Sequence, residues 1–173
     1  ITSSLSDMHG AVTGAIASLK GPLHGGANEA VAHMLNEVGS PDKAEQFILN
    51  KIKNKELIMG FGHRVYRNGD SRVPTMTEYY YKTAEFYKNK KFPAISKILE
   101  NTMLREKNIK PNLDFPAGPT YYLMGFDIDF FTPIFIISRI TGWAAHVMEQ
   151  FDSNKLIRPL SKYTGAPHRK IEK

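Results

Sequence analysis

The stretch GANEAVAHMLNEVGSPDKAEQFILNKIKNK, residues 26–55, decides the fold class, because it holds two helical patterns joined by a short break. In its first half, apolar residues recur three and four positions apart, as on one face of an α-helix, and Gly39 closes the pattern. In its second half, Ser40 is a typical helix N-cap and Pro41 suits the first helical position. The two predicted apolar faces are Ala27, Ala30, Val31, Met34, Leu35 and Val38, and then Ala44, Phe47, Ile48 and Ile52.

The sequence beyond this stretch shows the same kind of pattern. PTMTEYYYKTAEFYKNKK (residues 74–91) and PAISKILENTMLREKN (residues 93–108) are each entered through a proline and predict two further helices. No clear alternating pattern of strand length is present, so we predict an all-α fold. Shifts in composition predict a helical unit over residues 27–126, flanked by segments 1–26 and 127–173 that belong to a second unit.

The composition narrows the functional classes. Of the 173 residues, 42% are hydrophobic and 23% are charged, which is typical of a globular chain. The absence of cysteine excludes disulfides, thiolate metal sites and cysteine nucleophiles. Since ITSSLSDMHG (residues 1–10) also lacks a signal-peptide pattern, we expect a cytoplasmic protein. The apolar run TPIFIISRITGWAAHVM (residues 132–148) is short for a bilayer span and predicts a buried helix.

The charges point to an anionic ligand of some kind. The net charge is +6, and most of the surplus lies in residues 41–110, where it would attract nucleic acid or a small polyphosphate. Arg139 lies among apolar neighbours, so its guanidinium is expected to need an anion, either a distant carboxylate of the protein or a ligand. A non-catalytic module that binds nucleic acid is therefore one hypothesis, although it gives no reason for a buried Arg139.

Three glycine- and proline-rich segments carry residues suited to chemistry: His24 in GPLHGGAN (21–28), His63 in GFGHRVYRNGDSR (60–72) and Asp114 in NLDFPAGP (112–119). Glycines allow close backbone approach, which leaves a side chain free to point into a cavity. A neutral imidazole can then donate a hydrogen bond to a carbonyl or enolate oxygen. Each residue alone also fits a structural role in a loop, a turn or a helix N-cap. No HxxxH or HExxH spacing occurs, so we expect no metal site.

These segments together resemble the citrate synthase family. LKGPLHGGANEAV, MGFGHRVYRNGDSR, LDFPAGPTYYLMGF, SRITGWAAHVMEQ and LIRPLSKYTG occur in the family's order and approximate spacing over essentially the whole chain. The portion from DFPAGP to TGW looks most like bacterial 2-methylcitrate and citrate synthases. The resemblance implies that residues 27–126 form the small CoA-binding domain, and that residues 1–26 and 127–173 belong to the large domain.

The resemblance also implies the reaction and its catalytic residues. Family members condense an acyl-CoA with oxaloacetate and release CoA, so the CoA thioester is a substrate and no permanently bound cofactor is expected. Asp114 would remove the proton α to the thioester carbonyl, and His24 would stabilise the resulting enol or enolate. His63 would bind and polarise the oxaloacetate ketone and protonate the developing alkoxide. An α proton is too weakly acidic for a carboxylate unless the enolate is stabilised as it forms.

The binding residues follow from the same resemblance. Arg72, Arg139 and Arg158 match positions that bind the carboxylates of oxaloacetate and citrate, a role that suits the guanidinium fork. Arg158 would reach into the neighbouring subunit, which implies a homodimer. The side chain of Arg67 matches the CoA-binding loop, together with the backbone of Leu57, Ile58, Met59 and Gly60. Neither a nucleic acid nor a membrane is an expected partner on this interpretation.

Two departures from the family pattern qualify the resemblance. Ser71 stands where the family usually has proline, between Asp70 and Arg72, and we expect a looser turn there. The chain also resembles only the C-terminal part of a family member, so we expect it to be inactive, or nearly so, on its own. A citrate-cleaving CoA lyase or ligase domain of the same fold is an alternative. The choice between acetyl-CoA and propionyl-CoA stays open, because one methylene typically changes binding by only about 1–3 kcal/mol.

Overall fold

The fold is built from seven α-helices within residues 1–66, 68–167 and 169, which the computed structural model describes. In these residues the only β-type pairing is an isolated antiparallel bridge between Phe61 and Pro111, which confirms the all-α prediction. Short 3-10 turns lie at Thr2–Ser4 and Ile128–Phe130. The helices are α1 (Met8–Leu19), α2 (Ala27–Val38), α3 (Pro41–Lys53), α4 (Val73–Phe86), α5 (Lys91–Lys107), α6 (Asp114–Leu123) and α7 (Phe131–Asp152).

The helix boundaries follow from local capping chemistry. The amide of Gly10 donates to Asp7 Oδ1 at 2.8 Å and caps α1, and the amide of Phe92 donates to Asn89 Oδ1 at 3.0 Å at the start of α5. The predicted boundary at Ser40 and Pro41 is confirmed, although the Ser40 side chain makes no hydrogen bond to a backbone amide of α3. Proline at the first helical position loses no intrahelical hydrogen bond, so it suits this start.

The core lies between helices α2 to α6. Helix α2 packs on α6, α3 on α5, and α4 on α6. The buried Tyr80 hydroxyl and Ser96 Oγ are 3.0 Å apart, so the polar group of this aromatic side chain is satisfied inside the core. The largest fully buried apolar side chains of the cluster are Leu35, Ile48, Tyr80, Ile95 and Leu99. This core fixes the start of α6 relative to the loop that follows α3.

Helices α1 and α7 pack on each other outside this core. Helix α7 also contacts α2, and the backbone amide of Thr132 donates to Glu29 Oε1 at 2.9 Å, which joins the start of α7 to α2. The helix packing thus falls into an α2–α6 group and an α1–α7 group. The division at residues 26 and 126 into a small and a large domain stays a prediction.

Helix α7 differs from its prediction, because most of it is not buried. Only Phe131, Thr132 and Val147 of its residues are buried, whereas Ile137 is 73% exposed and Arg139 is also exposed. The expectation of a buried Arg139 is therefore wrong for this structure. The physical reason is that α7 is covered along one side by α1 and α2, while its other side keeps an apolar surface in contact with solvent.

None of the helices in the described residues is both long and apolar enough to cross a membrane. After α7, residues 154–167 run without regular helix and are almost entirely exposed.

Candidate active site

Two loops are joined by hydrogen bonds and form one wall of the site. The amide of Gly62 donates to the Lys110 carbonyl at 2.9 Å, and the amide of Asn112 donates to the Gly60 carbonyl at 2.9 Å. The Asn112 side chain donates to the Gly62 carbonyl at 3.0 Å, and its Oδ1 accepts from the Asp114 amide at 3.1 Å. Asn112 therefore holds the loop that carries His63 against the start of α6, which carries Asp114.

Gly60 in this wall has to be glycine, both because of its backbone conformation and because there is no room for a side chain. Gly60 has φ of +83°, a region that L side chains rarely adopt. A Cβ at this position would lie 2.7 Å from Val31 Cγ2 and 2.9 Å from Phe115 Cδ2, both side chains of the core. Gly60 thus lets the loop lie directly on α2 and α6, so that His63 in the same loop borders the cavity.

His24 is presented by a compact loop just before α2. The amide of Gly25 donates to the Leu19 carbonyl at 2.8 Å, and the amide of Ala27 donates to the His24 carbonyl at 3.1 Å. A Cβ on Gly25 would lie 2.6 Å from Leu19 Cγ, so the loop closes tightly on the end of α1. The His24 ring is exposed and stands edge-on to Phe135 of α7, with 6.1 Å between ring centroids.

Asp114 begins helix α6, and its position depends on a close helix–helix contact. At Gly118, four residues into α6, a Cβ would lie 2.5 Å from the backbone oxygen of Asn28, so α6 and α2 approach to backbone contact. Sequence reasoning did not predict α6 as a helix, because Pro116 and Pro119 lie within its ten residues. Pro116 falls in the first helical turn, where a missing amide is tolerated. Pro119 is tolerated within a short helix that is buried between α2 and α4.

The carboxyl group of Asp114 is electrostatically unusual. Burial raises its pKa to about 6, an effect opposed by the positive charge of Arg72, and by His63 when its ring is protonated, and reinforced by Asp70. Among the described residues no hydrogen bond is donated to this carboxyl group. A carboxylate with a raised pKa that faces a cavity is a good candidate for a general base.

The three predicted catalytic residues line one cavity. His24, His63 and Asp114 border an open space of about 280 Å³, although they lie far apart in the sequence. The predicted CoA-binding segment, residues 57–60, borders the same cavity, and so does Asn112. The structure thus brings together the predicted catalytic residues and the predicted CoA-binding segment where α2, α6 and three loops meet. In the described part of the chain no group of His, Asp and Glu side chains is arranged to hold a metal ion.

His63 has a defined tautomer when it is neutral. The amides of Val65 and Tyr66 donate to His63 Nδ1 at 3.0 and 3.2 Å, so the lone pair of Nδ1 is occupied. The neutral ring must therefore carry its proton on Nε2, which is then a hydrogen-bond donor. The Tyr66 ring lies against the imidazole, with 4.4 Å between centroids and 35° between planes.

Arg72 is held by an acidic neighbour that sequence reasoning did not single out. Asp70 accepts hydrogen bonds from Arg72 Nε at 2.9 Å and from Nη2 at 2.5 Å, and its Oδ1 also accepts from the Arg72 amide at 3.0 Å. The Asp70 side chain is 1% exposed, and these hydrogen bonds keep its pKa below the usual value. The signal in the sequence was an acid two residues before an arginine in a turn. One edge of the guanidinium is therefore occupied. Its other edge has no hydrogen-bond acceptor in the described part of the chain, so it is available to a ligand carboxylate.

None of the predicted arginines that the structure describes, Arg72, Arg139 and Arg158, lines this cavity. The guanidinium of Arg139 lies over the Phe135 ring, 4.9 Å from its centroid, and this ring stands edge-on to His24. Arg158 is exposed in the segment without regular helix that follows α7. Arg67, the predicted CoA-binding side chain, lies outside the described residues.

The family model described as "Citrate synthase, C-terminal domain" matches residues 1–160. Citrate synthase of Mycolicibacterium smegmatis is 56% identical over 171 residues, which are 99% of this chain and 46% of that protein. The 2-methylcitrate synthase of Mycobacterium tuberculosis H37Rv is 56% identical over 169 residues, which are 98% of this chain and 43% of that protein.

A solved structure agrees with these relatives. The ternary complex of citrate synthase from Thermoplasma acidophilum with carboxymethyl coenzyme A and oxaloacetate superimposes with a TM-score of 0.88 at 37% identity. The match covers 98% of this chain and 46% of that one. The chain belongs to the citrate synthase family, and it spans less than half the length of these relatives.

Proposed function

We propose that this chain carries the acyl-CoA side of the active site of an enzyme that condenses acetyl-CoA or propionyl-CoA with oxaloacetate, giving citrate or 2-methylcitrate and CoA. The observation that supports this most strongly is the shared cavity of His24, His63 and Asp114, bordered by residues 57–60. Two relatives of equal identity bear the two different names, so the acyl group is not decided by similarity.

The proposed chemistry begins at Asp114. Its carboxylate removes a proton from the carbon α to the thioester carbonyl, and its raised pKa makes it a stronger base than an exposed aspartate. His24 donates a hydrogen bond to the thioester oxygen, on which negative charge develops as the enolate forms. The exposed ring of His24 and its position before α2 leave it free to turn toward that oxygen.

The second half of the reaction involves His63. The enol carbon attacks the ketone carbon of oxaloacetate, and His63 Nε2–H donates to the ketone oxygen and then protonates the alkoxide. The tautomer held by the two backbone amides at Nδ1 suits this role. The free edge of the Arg72 guanidinium pairs with a carboxylate of oxaloacetate, while Asp70 holds the other edge. Hydrolysis of the thioester by water then releases CoA.

The remaining assignments concern the binding of CoA and of substrate carboxylates. Residues 57–60 and Arg67 bind CoA, and the exposed arginines Arg139 and Arg158 bind carboxylates once further protein surface covers them. The apolar, uncovered side of α7 and the exposed segment that carries Arg158 support a homodimer in which each subunit completes the other's site. We therefore propose that the 173-residue chain alone releases little or no CoA.

The test is made on a protein of the relatives' full length that contains these residues. Release of free thiol from acetyl-CoA and propionyl-CoA is measured with and without oxaloacetate, for the unchanged protein and for Asp114→Asn. Asp127→Asn is the matched control, because Asp127 is exposed and lies outside the cavity. Release that needs oxaloacetate, and that is lost in Asp114→Asn but not in the control, supports the proposal, and the ratio of the two rates identifies the acyl group.

Two other outcomes would overturn it. If the protein cleaved citrate in the presence of CoA but catalysed no condensation, it would be a citrate-cleaving enzyme of the same fold. Absence of any thioester chemistry, together with nucleic-acid binding that weakens steeply with salt, would support the basic module instead.

A further inference from the structure

We propose that Asn68–Gly69 is a site of spontaneous covalent modification, at which the Asn68 side chain is converted through a cyclic imide into an aspartyl or isoaspartyl residue, and that this change releases Arg72 from its position. The modification itself does not depend on the proposed function, whereas its effect on substrate binding rests on it. The dipeptide Asn-Gly occurs only here in the sequence.

The chemistry requires a free amide nitrogen and a free side-chain carbonyl carbon. The backbone nitrogen of Gly69 attacks Cγ of Asn68, a C–N bond forms, and the side-chain nitrogen leaves as ammonia with the amide proton. Water then opens the ring at either carbonyl. Opening at the original backbone carbonyl gives an isoaspartyl linkage, and opening at the side-chain carbonyl gives aspartate. A residue without a side chain after the asparagine leaves this attack sterically unhindered.

The local structure leaves both reacting groups available. Asn68 and Gly69 are exposed, and Gly69 has φ of +107°. Within the described residues neither the Gly69 amide nor the Asn68 side chain makes a hydrogen bond. By contrast, the side chains of Asn89, Asn112 and Asn154 are engaged in hydrogen bonds. The backbone carbonyl of Asn68 accepts a hydrogen bond from Lys110 Nζ at 2.9 Å.

The neighbouring cation favours the reaction electrostatically. Besides its hydrogen bond to Asn68, the Lys110 side chain lies against Gly69, where an added Cβ would be 3.3 Å from Lys110 Cδ. Negative charge develops on the Asn68 side chain as its carbonyl is attacked, and an adjacent ammonium stabilises such charge. The product carboxylate would also be attracted to this lysine.

The position of the site gives the modification a consequence. Gly69 immediately precedes Asp70, whose buried carboxylate holds Arg72 through three hydrogen bonds from the guanidinium. An isoaspartyl linkage adds one methylene to the backbone of this turn, and either product adds a negative charge within two residues of Asp70. Both changes displace the Asp70–Arg72 pair, so the affinity for a ligand carboxylate falls.

To test this, the full-length protein is incubated at mildly alkaline pH and physiological temperature. The conversion of each asparagine is then measured by mass spectrometry of the peptides that contain it. Enzymatic methylation of isoaspartyl residues provides a second readout. We expect Asn68 to convert well before Asn108, which is also exposed but is followed by the branched Ile109. Conversion of Asn68 no faster than that of Asn108 would overturn the proposal, whether or not the protein is an active synthase.

A matched variant isolates the consequence. In Asn68→Gln the cyclisation would need a larger ring, so this variant should stay unmodified and keep its initial activity during ageing. Aged wild-type protein should show a KM for oxaloacetate raised about tenfold or more, as expected for loss of a charged hydrogen bond, with the fresh value retained by Asn68→Gln. Complete conversion at Asn68 without a change in this KM would contradict the proposed release of Arg72.

Discussion

Replacing Asp114 by asparagine tests the electrostatic state of the cavity, and we expect this change to stabilise the fold near neutral pH. Burial raises the pKa of Asp114 from 3.8 to about 6, so the native state binds a proton more tightly than the unfolded state does. The contribution of the Asp114 carboxyl group to native stability is therefore greatest below about pH 4. This contribution is lost as the pH rises through the native pKa, because ionising the carboxyl group costs more free energy in the folded protein than in the unfolded chain.

The magnitude follows from the size of the shift. The difference of about two pKa units corresponds to about 3 kcal/mol, at 1.36 kcal/mol per unit. Asparagine has a similar shape and does not ionise, so Asp114→Asn lacks this loss. Above about pH 7 the variant should exceed the wild type by up to about 3 kcal/mol, and at about pH 4 the two should be nearly equal.

The assay is urea unfolding of the purified chain between pH 4 and pH 8, followed by circular dichroism. With an m-value of about 2 kcal/mol/M, the midpoint of the variant should lie about 1.5 M above that of the wild type at neutral pH. Asp127→Asn is the control and should follow the wild type, because Asp127 is exposed. Parallel pH profiles of wild type and Asp114→Asn would refute the reasoning, since the Asp114 carboxyl would then have an ordinary pKa.

Three further predictions concern the parts around this residue. Gly118→Ala should destabilise the fold by about 1–3 kcal/mol in thermal or urea unfolding, because the added Cβ would lie 2.5 Å from a backbone oxygen of α2. The control Gly142→Ala in α7 should be neutral or stabilising, because its Cβ would have its nearest neighbour at 3.7 Å. Nitrogen NMR should show the neutral His63 ring protonated at Nε2; a proton on Nδ1 would contradict the two amide hydrogen bonds. Arg72→Leu should raise the pKa of Asp114 further in a carbon-NMR titration, since the positive charge of Arg72 lowers it; a decrease would show that Arg72 does not act on this carboxyl group.

The helices were largely predictable, because their signals are local. Apolar spacing marked α2 and α3, and the positions of Ser40 and Pro41 marked the boundary between them. Helix α6 was not predicted, since two prolines in ten residues argue against a helix unless it is short and packed between neighbours. Local propensity is overridden there by burial against α2 and α4.

The site was predictable as a set of residues but not as an arrangement. Glycines around His24 and His63 indicated close backbone approach, and the family resemblance named Asp114 as the third member. Neither source indicated that Asn112 joins the two loops, because its hydrogen bond to Gly62 connects residues separated by 50 positions in the sequence. Contacts at that separation depend on how helices pack, and no local pattern encodes them.

The sequence by itself determined the all-α class, the helix boundaries around residues 39–41 and the residue types available for chemistry. Only the tertiary structure decided that three distant residues share one cavity, that Asp70 holds Arg72 and that Arg139 is exposed on α7. The physical reason is that periodicity records which face of a helix is apolar, but not what covers that face. In the same way, a charged residue's partner, and with it the pKa of a buried carboxyl such as Asp114, is set by distances across the fold.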